Sequence, residues 1–112
     1  MRKRPIKKEI FMEKIKITVM RKASYEDLSA LYENPLTSPC QMEVGQVFFS
    51  ENAHKPSGFC ESAWQNLYPF VMTLASGGKD IFDGWMKNEK SAMISCNDGF
   101  RPVSFLLEVL ED

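Results

Sequence analysis

The sequence is short of the features that announce most functions. No stretch approaches the roughly 18 consecutive apolar residues of a membrane helix, and the basic start, MRKRPIKKEIF, lacks the apolar run that a secretory signal needs after it. Export and a membrane partner are therefore not expected, and a cytoplasmic location is. There is no Cys-x-x-Cys pair and no zinc-finger spacing, since Cys40, Cys60 and Cys96 stand 20 and 36 positions apart. There is one histidine, His54, which limits any base or metal ligand of that type to a single position. Gly77-Gly78 is surrounded by neither a Gly-x-Gly-x-x-Gly nor a Walker pattern, so no phosphate loop is expected. No internal repeat breaks the chain into units.

What remains is the composition of a folded domain. At 112 residues, with 44% hydrophobic and 26% charged residues, the chain has the material for one core and not for two. The net charge of −1 hides an asymmetry. Residues 1–11 hold Arg2, Lys3, Arg4, Lys7 and Lys8 against Glu9, so the remainder carries a net −5. An acidic body does not suit phosphate contacts, so nucleic acid is not an expected partner. The basic stretch 1–11 is expected to be a disordered extension ahead of a single domain over 12–112.

Periodicity places six elements in the order β-α-β-α-β-β, an α+β fold with a small antiparallel or mixed sheet of about four strands and two helices. Ile15, Ile17 and Val19 alternate with Lys14, Lys16 and Thr18, which predicts a half-buried strand. Ser24 precedes Tyr25, Leu28, Leu31 and Tyr32 on one helical face, predicting a helix over about 24–33 that Asn34-Pro35 ends. Residues 43–50 read as a strand with Gly45 as a bulge. Trp64, Leu67, Tyr68, Val71, Leu74 and Ala75 form the strongest amphipathic pattern, with Ser62 and Gln65 fitting a capping box and Gly77-Gly78 a stop. Pro69 conflicts with that helix and predicts a kink or break. Residues 79–90 form a polar, lysine-bearing connection containing Trp85. Strands at about 91–96 and 101–110 flank the turn Asn97-Asp98-Gly99-Phe100. The last strand has one apolar and one mixed face, as expected of a central strand or of one that meets a second subunit in a homodimer.

The chemistry-bearing residues lie at the ends of these elements. Cys40 follows Pro39 in a loop, Cys60 comes just before the long helix, and Cys96 ends a strand. Cys60 is the candidate nucleophile, because the amino end of a helix favours a thiolate; the competing reading is an inert thiol packed beside Trp64. Were the three thiols to converge, they would hold a soft metal such as zinc or iron with His54 as fourth ligand. Asp98 and Arg101 offer a site for a small anion, against the plainer reading that the aspartate bonds its own turn and the arginine pairs with a carboxylate. Trp64 and Trp85 would line a pocket, although Trp64 falls on the helical stripe that predicts core.

Residues 14–110 resemble an uncharacterised family of small prokaryotic proteins. The resemblance rests on Pro39-Cys40, Gly45 with Phe48, Pro56-x-Gly58-Phe59-Cys60 with Ala63-Trp64, Leu74-x-x-Gly77-Gly78, and Cys96-x-Asp98-Gly99-x-Arg101-Pro102-Val103-x-Phe105. It implies that Cys40, Cys60, Cys96, Trp64, Asp98 and Arg101 belong to a shared pattern, and it implies no activity. The chain departs from that pattern at Pro69 and at Ser95, where a second cysteine often stands. The leading functional expectation is a domain whose clustered cysteines bind a metal or present a reactive thiol. The alternative is a non-catalytic interaction or homo-oligomerisation module with structural cysteines.

Overall fold

The computed structural model describes residues 12–111; the basic stretch 1–11 lies outside them. The alternating segment after Lys14 forms β1 (Ile15–Lys22), followed by α1 (Glu26–Tyr32), β2 (Val47–Ser50), α2 (Glu61–Ala75), β3 (Ser91–Ser95) and β4 (Val103–Val109). The four strands make one antiparallel sheet in the order β2-β1-β4-β3. The fold is α+β, with the element order that the sequence predicts, and its last strand is central.

One face of the sheet is the core. Ile15, Ile17 and Val19 from β1, Val103, Phe105 and Leu107 from β4, and Ala92 and Ile94 from β3 are buried against Ala63, Leu67, Val71, Leu74 and Ala75 of α2. Each fully buried large side chain contributes about 1.5–3 kcal/mol relative to exposure. That margin explains why α2 is not broken at Pro69, where the sequence predicts a kink or a broken helix. The proline costs about 3 kcal/mol in a helix interior, and its buried neighbours Leu67, Val71 and Leu74 offset it.

The other face carries Lys16, Thr18, Leu106 and Met93 half-buried, with Val47 and Phe49 of β2 exposed. No helix covers it.

Gly45 is the bulge that its place in the sequence predicts. At φ +92° its N–H bonds to the Val19 carbonyl while the Val19 N–H bonds to the Gln46 carbonyl, so two residues oppose one just before a shortened β2. A second irregularity lies in β1, where Val19 pairs with Phe105 and Arg21 with Ser104, so Met20 has no partner on β4. Ser62 does not cap α2, because Cys60 occupies that position and the Ser62 hydroxyl instead donates to Asn97 Oδ1 at 2.9 Å. The far end of α2 does stop at Gly77-Gly78. The Gly78 N–H reaches the Thr73 carbonyl at 2.8 Å and the Gly77 N–H the Leu74 carbonyl at 3.1 Å, with Gly77 at φ +94°. That is the paired closure a left-handed glycine permits.

Candidate functional site

The three cysteines sit in different surroundings. Cys40 is exposed in the loop before β2, and its sulfur accepts the Met42 N–H at 3.4 Å. Cys60 is exposed at the N-cap of α2 and makes no side-chain capping bond. Cys96 is half-buried against the core, where its sulfur accepts the Val103 N–H at 3.2 Å and its own N–H donates to the Val103 carbonyl at 2.9 Å. Among the described residues no three His, Cys, Asp or Glu side chains come together as a metal-holding group. The set Cys40, Cys60, Cys96 and His54 is thus not assembled. His54 is exposed in the turn after β2, a turn that the Ser50 hydroxyl closes by donating to the His54 carbonyl at 2.7 Å.

Asp98 and Arg101 are engaged within the fold. Asp98 Oδ1 accepts the backbone N–H groups of Arg101 at 3.0 Å and Phe100 at 2.8 Å, and these bonds hold its carboxyl below the ordinary aspartate range. The Arg101 guanidinium reaches back across the chain to Glu33, with Nη1 2.8 Å from Oε1 and 2.9 Å from Oε2. The guanidinium hydrogen bond holds the Glu33 carboxyl below its usual value despite some desolvation. The carboxylate in turn keeps the arginine charged. The side chains are 33% and 17% exposed, respectively, so the pair is half-sheltered. The plainer of the two sequence readings describes this turn, with a carboxylate from α1 that spacing does not point to.

This ion pair fixes α1, together with two backbone bonds: Ala23 N–H to the Pro102 carbonyl at 2.9 Å and Tyr25 N–H to the Phe100 carbonyl at 2.8 Å. The result reverses ordinary amphipathicity. The side of α1 against the body carries Ser29, whose buried hydroxyl has no hydrogen bond of good geometry, and the adjoining Glu33. No residue of α1 is buried. The apolar stripe of Tyr25, Leu28, Leu31 and Tyr32 faces outward, with Leu31 72% and Tyr32 75% exposed. The stripe is legible in the sequence; its direction is not, because the Arg101–Glu33 contact sets it.

Two aromatic surfaces flank α2. On the β2 side, Trp64 and Tyr68 lie 5.7 Å apart between ring centroids and, with Gln65 and Pro69, line a shallow apolar groove of about 320 Å³. Trp64 is half-buried where its spacing predicts core, because Phe59 takes the inner position against Phe105 and Phe48. On the other side, Phe70 meets Phe82 at 5.7 Å and Phe82 meets Trp85 at 5.3 Å. Trp85 therefore shares no pocket with Trp64. Phe82 and Trp85 are exposed on a loop whose residues Asp80, Phe82 and Asp83 all have φ near +56°, a backbone region that such side chains seldom adopt. The sequence signal for the groove is Pro69, a proline kept inside an otherwise regular helix.

No helix among the described residues is long and apolar enough to cross a membrane. No family model, curated protein or solved structure matches the chain, and the resemblance drawn from its motifs stands on those motifs alone.

Proposed function

We propose that the protein is a non-catalytic interaction module that self-associates through α1. The observation that carries this reading is the outward apolar stripe on a seven-residue helix that buries nothing of its own. Isolated helices shorter than about 12–15 residues are marginal in water and draw their stability from packing of an apolar face. With ordinary side-chain areas, Tyr25, Leu28, Leu31 and Tyr32 present on the order of 500 Å². That is well over half of the roughly 800 Å² each partner contributes to a standard interface. A two-fold arrangement of α1 against α1 from a second copy covers both stripes at once. In sedimentation under reducing conditions, the wild type is expected to show a concentration-dependent monomer–dimer equilibrium. Leu31→Asp with Tyr32→Ser should be monomeric with unchanged melting temperature. A wild type that stays monomeric to millimolar concentration overturns the reading.

A reactive thiol at Cys60 is the second reading, supported by its exposure at the amino end of a 15-residue helix. It expects one thiol to react with a disulfide reagent well ahead of the other two, and that fast phase to vanish in Cys60→Ser. Equal rates for Cys40 and Cys60 overturn it.

A further inference from the structure

We propose that Asp83 is a site of spontaneous covalent modification. Its peptide link to Gly84 rearranges through a succinimide to an isoaspartyl link, whereas the other Asp-Gly step of the chain, Asp98-Gly99, is protected by the fold. This property belongs to the loop between α2 and β3 and goes beyond the self-association reading.

The sequence holds two Asp-Gly steps, Asp83-Gly84 and Asp98-Gly99, and no Asn-Gly step. In the rearrangement the glycine backbone nitrogen attacks the aspartyl Cγ. A new C–N bond closes a five-membered ring, the nitrogen gives up its proton, and a carboxyl oxygen leaves as water. Water then opens the ring. Addition at the side-chain carbonyl restores aspartate; addition at the main-chain carbonyl leaves the backbone running through Cβ and Cγ, with the α-carboxylate free. One water is lost and one gained, so the mass is unchanged and no other reactant is needed. Glycine favours the attack because no Cβ shields its nitrogen.

The fold treats the two steps differently. Asp98 Oδ1 accepts the N–H groups of Arg101 at 3.0 Å and Phe100 at 2.8 Å. These bonds turn the carboxyl past Gly99 and keep it ionised, the form that releases an oxygen least readily. Attack by the Gly99 nitrogen has to break them. Asp83 is exposed, and among the described residues its carboxylate is held by no such donors. Nothing lies within 4 Å of where a Cβ on either glycine would stand, so the carboxylates set the difference and the glycines do not.

The backbone adds to it. Phe82 and Asp83 stand at φ +56° and Gly84 at φ +85°, three successive residues in a region that side chains seldom adopt. An isoaspartyl link inserts Cβ into the backbone and gives Asp83 a rotatable bond it lacked, which relieves that conformation. The altered link lies between Phe82 and Trp85, whose rings meet at 5.3 Å, and Phe82 meets Phe70 of α2 at 5.7 Å. Lengthening the chain there changes how both exposed rings sit against the helix.

The test is to age the full chain under reducing conditions at neutral pH and body temperature, then to digest it with trypsin. Lys79 and Lys87 bound the peptide 80–87 with the Asp83 step, and Lys90 precedes the peptide that holds Asp98. Isoaspartate is read as a retention shift at unchanged mass and as methyl transfer from S-adenosylmethionine by an isoaspartyl methyltransferase. It is expected to form at Asp83 faster than at Asp98 by roughly tenfold or more, the range for hydrogen bonds to a charged group. In denaturing urea the two rates should converge. The indole N–H resonance of Trp85 should split on ageing while that of Trp64 does not. The split should be absent from Asp83→Glu, whose imide ring has six members and closes far more slowly. Equal rates at the two steps in the folded protein, or no isoaspartate at Asp83, overturn the proposal. So does a rate difference that persists in urea. A change in oligomeric state leaves the comparison with urea and with Asp98 intact, so this proposal and the self-association reading fail independently.

Discussion

The two helices of this protein are held by opposite means. α2 buries five side chains against the sheet and tolerates a proline in its interior; α1 buries none and is tethered through an ion pair and two backbone bonds to the turn before β4. Burial is cooperative and insensitive to pH, while a half-sheltered carboxylate pair is local and titrates. The difference teaches where function is free to sit. An element that contributes nothing to the core leaves its apolar residues exposed, and it is there that the proposed self-association is placed.

The comparison breaks if α2 proves no more consequential than α1. Leu67→Ala, at a fully buried position, is expected to cost about 2–5 kcal/mol, read from the urea midpoint, and to lower the melting temperature of a domain this size by roughly 10 °C or more.

A smaller effect is expected at the end of the same helix. A methyl group on Gly78 would meet Thr73 Cγ2 at 2.7 Å and the Thr73 carbonyl oxygen at 2.8 Å. Gly78→Ala should therefore destabilise by about 1–3 kcal/mol in the same assay.

The smallest global effect is expected from Arg101→Met. It should shift the melting temperature by no more than about 2 °C yet remove the hydrogen-exchange protection of α1 amides, leaving those of α2 unchanged. Acid sharpens the same contrast. Glu33 and Asp98 both have depressed folded values, so their contribution is present above the ordinary carboxylate values. It is lost as pH falls through the depressed ones, below about pH 4. Protection of α1 should fall in that window before that of α2, and in Arg101→Met it should be absent at every pH.

Much of the architecture was readable from residue patterns because burial writes itself as periodicity. Ile15, Ile17 and Val19 announce a strand, and Leu67, Val71 and Leu74 a helix, whatever lies between them. Single contacts leave no such trace. Ser62 looked like a cap and became the partner of Asn97, because Cys60 sits one residue ahead of the helix. Gly45 was legible as a bulge, but the second irregularity at Met20 was not, in a strand whose alternation looked regular. Glu33 and Arg101 lie far apart in the chain, with no local signal to join them. For the cysteines, position at element ends was legible and grouping was not. Lys22 meets Met42 near Cys40, Val103 meets Cys96, and Ser62 near Cys60 meets Asn97, so the ends lie toward one side of the sheet. Yet among the described residues the thiols and His54 do not come together as a metal-holding group.

The placement of β1 beside β4 also bears on how the chain folds. Ile15 pairs with Val109, so the two central strands come from opposite ends of the described chain. The sheet cannot close until the whole stretch from Ile15 to Val109 is available. A contact map dominated by such distant partners folds slowly compared with a helical bundle of equal length. During synthesis β1 must wait for β4 with its edge unsatisfied, and a product truncated before Val103 leaves that edge open permanently. Such a fragment should be found in aggregates rather than in solution.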